Sequence, residues 1–148
     1  MTPLMVKGTL FGLLLLSAAV WDMRNREIPN LIPALLLLCG LIGFRPAASA
    51  AGLFLVGGPF LLAAVLIKRD GFAIGGGDVK LMGACGFVLG VWPGLMQAAL
   101  SLSLAVLVGL VECRLQKQPL SMVRLPLAPF FCFGGVSAYW LTAFTFQI

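Results

Sequence analysis

Six apolar stretches, set apart by the few charges in the chain, decide what this sequence can fold into. They run Pro3–Trp21, Leu31–Phe44, Ala47–Ile67, Val79–Trp92, Pro93–Cys113 and Leu125–Ile148. Four of them are 19 to 24 residues long, enough to cross about 30 Å of hydrocarbon at about 1.5 Å per helical residue. The second and fourth have 14 residues each, so they must recruit flanking residues, sit where the bilayer thins, or be shielded by neighbours. Only 10% of the 148 residues are charged and 61% are hydrophobic, whereas an ordinary globular domain is about 25% charged. Fifteen charges cannot cover a water-facing surface, so the solvent for most of this chain is lipid. The expected fold is all-α: a polytopic transmembrane helical bundle of about six spans, two of them short, forming one domain over residues 1–148.

Lysine and arginine set the expected orientation. Arg24, Arg26, Lys68, Arg69, Lys80, Arg114, Lys117 and Arg124 follow the odd-numbered spans, whereas Lys7 and Arg45 are the only basic residues on the other side. That balance places the odd-numbered loops in the cytoplasm and both termini outside. All five acids, Asp22, Glu27, Asp70, Asp78 and Glu112, share the cytoplasmic side. The net charge of +5 is then a topology signal and a contact with anionic lipid heads, not a nucleic-acid footprint. Lys7, the apolar run after it and Ser17-Ala18-Ala19 also resemble a cleavable signal peptide. Arg24 and Arg26 just downstream outweigh Lys7, however, and the segment is retained as the first span.

The chemistry available is narrow. There is no histidine, so histidine triads and histidine metal sites are excluded. Cys39, Cys85, Cys113 and Cys132 show no CxxC spacing and read as small packing residues. No metal or organic cofactor is expected. Among the glycines, Gly52 and Gly57 in the third span and Gly83, Gly86 and Gly90 in the fourth are candidates for close helix approach. Gly134-Gly135 instead reads as a place where the last helix loosens, since glycine in a helix costs about 1 kcal/mol against alanine.

The carboxylates remain. Asp22 ends the first span, and Asp78 begins the fourth inside Gly75-Gly76-Gly77-Asp78-Val79-Lys80. If those two spans are neighbours, the side chains converge on the cytoplasmic side although 56 positions separate them. Two converging carboxyls cannot both ionise cheaply; they share a proton, one activating water while the other donates to a peptide carbonyl. Three glycines in succession would permit positive φ and admit an extended substrate backbone. Helix-end electrostatics makes Asp78, at a helix N-terminus, the base and Asp22, at a C-terminus, the proton donor. The short spans behind the two loops would recess such a site below the headgroups. The same two residues also fit solvated caps or salt-bridge partners of Arg24, Arg26 and Lys80. They fit as well a transporter or proton pathway, a phosphate- or headgroup-handling enzyme, and a structural membrane subunit.

The wording around both aspartates narrows these options. Asp22-Met23-Arg24-Asn25-Arg26-Glu27-Ile28-Pro29-Asn30 resembles the D-x5-IPN element of bacterial prepilin peptidases, and Gly75-Gly76-Gly77-Asp78-Val79-Lys80-Leu81 is similar to their GxGDxK element. Arg124-Leu125-Pro126-Leu127-Ala128-Pro129-Phe130, followed by Gly134, resembles the start of their last helix. The resemblance implies an inner-membrane aspartic endopeptidase that cuts the short basic cytoplasmic leader from prepilins and pseudopilins, just before a hydrophobic helix. Carried onto this chain, it makes Asp22 and Asp78 the catalytic pair and Gly75, Gly76 and Gly77 the site loop, with Lys80 at a motif position of unassigned role. Pro29 and Asn30 read as a helix start and its cap. Larger members carry a paired-CxxC region and also methylate the new N-terminus. This chain lacks those cysteines, so methyl transfer is not expected, and its length resembles the short peptidases of tight-adherence (Flp-type) pilus systems.

Overall fold

The structure is a computed structural model and describes residues 3–66, 75–117 and 125–145. Lys68, Arg69, Asp70 and Arg124, all counted in the charge balance, lie outside the described residues. Each apolar stretch forms one helix: α1 (Pro3–Asn25), α2 (Leu31–Gly40), α3 (Pro46–Leu66), α4 (Gly76–Leu89), α5 (Val91–Gln116) and α6 (Ala128–Thr145). Three of these, α1, α3 and α5, are long and apolar enough to cross a membrane. The expectation of six spans is therefore narrowed to six helices of which three are candidate spans. At 10 and 14 residues, α2 and α4 reach only about 15 and 21 Å.

Two boundaries differ from the sequence expectation. The break between α4 and α5 falls at Gly90, not between Trp92 and Pro93. Gly90 takes φ 83°, a left-handed conformation open to glycine at little cost, while Pro93 is tolerated in the first turn of α5, where its missing N–H would have no helical partner. Similarly, α6 starts at Ala128, after Leu125-Pro126-Leu127, and Pro129 occupies its first turn.

The central helix is α4, which packs against α2, α3, α5 and α6. Residues Leu81 to Gly86 are buried without a break, as befits a helix enclosed on all sides. Outward-facing side chains such as Leu13, Phe54, Leu62 and Leu107 stay exposed and apolar, the pattern expected of a surface solvated by lipid. Since apolar side chains gain nothing by leaving lipid, close backbone approach must hold such helices together. The α3–α4 contact does this with two glycine pairs. A Cβ on Gly52 would collide with the Gly86 carbonyl, a Cβ on Gly86 would collide with that of Gly52, and a Cβ on Gly57 would stand 2.8 Å from Gly83 Cα. Gly94 admits Val56 Cγ2 in the same way, at 2.7 Å.

Gly134 and Gly135 do not loosen α6; they let it close on α5 and α1. A Cβ on Gly134 would strike Ser101 Oγ and lie 2.8 Å from the Gln97 carbonyl oxygen, while one on Gly135 would lie 2.7 Å from Leu15 Cδ1. This space houses a buried polar tie. Gln97 Nε2 donates to the Phe131 carbonyl at 3.1 Å, and Ser101 Oγ donates to the Gln97 carbonyl at 2.7 Å. Gly134→Ala should therefore cost about 1–3 kcal/mol by overpacking, although alanine is the better helix former; a thermal melt in detergent would show it as a lowered midpoint. At the other end of α6, Tyr139 donates its hydroxyl to the Leu4 carbonyl at 2.6 Å, docking α6 on α1.

Candidate active site

Helical periodicity carries Asp22 inward. Phe11, Leu15 and Ala18 form the buried stripe of α1, and the next step of that spacing is Asp22, only 6% exposed. A carboxylate there needs a donor, and the start of α6 supplies one: the Ala128 N–H donates to Asp22 Oδ2 at 3.1 Å. With Pro129 next in line lacking an N–H, the Ala128 amide is one of the few donors this helix start offers. Asp22 thus pairs with a helix N-terminus and not with Arg24 or Arg26, which are exposed. The last helix reaches the site through its backbone.

Asp78 lies in the first turn of α4, ahead of the buried run. α1 and α4 are joined through their neighbours, since α2 and α6 each touch both. The two aspartates nevertheless approach closely enough for Asp22 to act on Asp78. Burial first, and the Asp22 charge second, push the Asp78 carboxyl up to about 6, with a backbone hydrogen bond from Gly75 pulling the other way. Burial and the nearby Asp22 charge thus favour the protonated form of Asp78, opposite in sign to the helix-end expectation at this position. Asp78 Oδ1 is buried with no hydrogen-bond partner among the described residues, as suits a group whose neutral form is favoured.

The three glycines of the loop differ in purpose. Gly75 is extended, with φ −60° and ψ 140°, and a Cβ there would sit 3.2 Å from Asp78 Oδ2. Gly76 faces open space within 4 Å. At Gly77 a Cβ would stand 3.1 Å from Ile28 Cβ, so this glycine lets the Asp78 loop meet the segment that follows Asp22. None of the three has positive φ; among the described glycines only Gly43 and Gly90 do. Close approach, not a left-handed turn, explains the run.

Asn30 does not cap α2, since its side chain makes no cap bond. Its Oδ1 instead accepts from Lys80 Nζ at 2.8 Å. Both residues edge a groove of about 460 Å³ between α2, α3 and α4, walled by apolar side chains such as Leu37, Leu53 and Leu61. Glu27 is exposed and Glu112 half-buried. Among the described residues no three His, Cys, Asp or Glu side chains gather as a metal-binding group. The donors that this end of the bundle assembles are two carboxyls, an amine and backbone amides, a set suited to acid–base chemistry.

A helical membrane protein with one carboxyl buried near the end of α1 and a second half-buried in the first turn of α4 is the class that fold and site define. Comparison with known proteins sharpens this. Residues 9–111, a segment that contains both aspartates, match the type IV leader peptidase family, and the chain belongs to that family. It is 33% identical over 150 residues to the prepilin leader peptidase/N-methyltransferase of Bacillus subtilis (strain 168), across 89% of this chain and 54% of that protein. The chain thus spans about half the length of the curated relative it matches. No solved structure matches it.

Proposed function

We propose that the chain is a membrane aspartic endopeptidase that removes the basic leader from pilin-like precursors at the cytoplasmic face of the bacterial inner membrane, with Asp22 and Asp78 as its catalytic pair. Family membership supports the peptidase class. The observation that carries the mechanism is that Gly77, next to Asp78, lies against Ile28 in the segment after Asp22, near enough for the Asp22 charge to bear on Asp78 across 56 positions of sequence. In the proposed reaction, ionised Asp22 takes a proton from water as the oxygen attacks the scissile carbonyl carbon. Asp78 gives its proton to the carbonyl oxygen. The tetrahedral diol then collapses: one hydroxyl returns its proton to Asp78 as the C=O bond re-forms, the C–N bond breaks, and the proton held by Asp22 passes to the departing amine. The nucleophile is water, so no cofactor takes part.

The eight-to-two distribution of basic residues supports a cytoplasmic site, and α2 and α4, at 10 and 14 residues, are short enough to leave that site recessed below the headgroups. Glu27, Asp70 and Glu112 are suited to meet a positively charged leader. Reconstituted chain mixed with a tagged precursor bearing a basic leader and an apolar helix should yield a shortened product. Ion or proton flux without cleavage would favour the transporter reading instead. Because Asp78 must be protonated in the free enzyme, kcat/KM should fall as pH rises through about 6; a rate that rises through that pH would overturn the assignment of Asp78 as acid. The tight-adherence (Flp-type) pilus subtype is part of this proposal, and a precursor from such a system is the first substrate to try.

A further inference from the structure

Two contacts join the Asp78 loop to the segment that follows Asp22, one on each side of Asp78. Before it, Gly77 lies against Ile28, so closely that a Cβ would stand 3.1 Å from Ile28 Cβ and 3.5 Å from its backbone N and O. After it, Lys80 Nζ donates to Asn30 Oδ1 at 2.8 Å, across 50 positions of sequence. Asn30 occupies the N-cap position of α2, where asparagine ordinarily bonds the amides of its own helix. Here it takes αR dihedrals, φ −59° and ψ −18°, with no cap bond, and its oxygen is turned to α4 instead. Both side chains are exposed, and a hydrogen bond in that setting adds little to global stability. What it does is fix a direction.

We propose that Lys80 and Asn30 form a positioning latch that, with the Gly77–Ile28 contact, sets the first turn of α4 against the start of α2 and so holds Asp78 at a set separation from Asp22. α1 and α4 are bridged by α2 and α6, and the latch adds a direct tie between the start of α2 and the first turn of α4 at the end where the carboxyls lie. Lys80 touches neither aspartate in this arrangement and acts through Asp78; it is a positioning residue. Its effect on rate rests on the peptidase function proposed above, whereas the latch itself can be seen without substrate.

Nitroxides placed at Glu27 and Gly76 through an encoded ketone handle, which leaves the native cysteines unlabelled, report the separation of the two segments by electron resonance. Both positions are exposed, and Gly76 faces open space. The distance distribution should be narrow in the native chain, broaden in Lys80→Met and in Asn30→Ala, and recover in Lys80→Arg, which keeps a donor. Precursor cleavage should show kcat reduced about ten- to a hundredfold in both single variants, as for a modest misplacement of a reacting group, with KM within about twofold and the double variant no worse than either single. Unchanged distances in both single variants would overturn the latch. So would a raised KM at constant kcat, which would place Lys80 on the substrate. A native chain that leaves every precursor uncut would count against the proposed function, while the nitroxide distances would still decide the latch.

Discussion

Replacing either Asp22 or Asp78 with asparagine is expected to reduce precursor cleavage by about 10²–10⁴-fold while leaving the helices folded. Asparagine keeps an acceptor for the Ala128 N–H at position 22, so the tie between α1 and the start of α6 survives Asp22→Asn. The stability of Asp78→Asn has a definite sign. Asp78 in the folded chain titrates near 6, raised from 3.8, so the folded state binds more protons than the unfolded state between those values and stability falls as pH rises through that window. Above pH 6 the native chain carries a desolvated charge that asparagine lacks. Asp78→Asn should therefore melt higher than the native chain at pH 7.5, and the gap should close by about pH 4. An inactive variant with a raised melting point separates lost chemistry from lost structure; a lowered one at pH 7.5 would show that the Asp78 charge supports the fold.

The second large effect lies at the α3–α4 contact. Gly86→Ala should destabilise the bundle by about 3 kcal/mol, the upper part of the overpacking range, because the added methyl meets the Gly52 carbonyl and Val56 Cβ. A backbone carbonyl cannot rotate aside as a side-chain tip does, so relief requires the two helices to part. Gly58→Ala, one helix over, is expected to act in the opposite direction. Nothing lies within 4 Å of a Cβ there, and alanine gains up to about 1 kcal/mol of helix propensity. Melting both variants in the same detergent tests the assignment: midpoints that move together, in either direction, would show that Gly52 and Gly86 do not form the close contact.

Much of this arrangement was legible in the residues. Apolar runs separated by charges became the six helices, and the glycines suspected at positions 52, 57, 83 and 86 are those that allow α3 and α4 to touch. The inward turn of Asp22 was within reach, since it continues the spacing of Phe11, Leu15 and Ala18. Other features depend on tertiary neighbours. Asn30 looked like a cap until α4 brought Lys80 beside it. Gly134 and Gly135 looked like weak points because the buried Gln97 and Ser101 they accommodate come from another helix. The rise of the Asp78 carboxyl was not legible from helix ends, because burial of Asp78 and the nearness of Asp22 outweigh the hydrogen bond from Gly75. Even so, the length of α1, α3 and α5 made the membrane assignment readable from the runs alone.

The most direct test of a shared proton is to follow the protonated-carboxyl infrared band of Asp78 across pH, in the native chain and in Asp22→Asn. In the native chain the midpoint should lie near 6, and in Asp22→Asn it should move down toward the ordinary carboxylate range, stopping short of it because burial persists. An identical midpoint in the two chains would mean that the carboxyls do not sense each other, and the aspartate pair could not work as one unit.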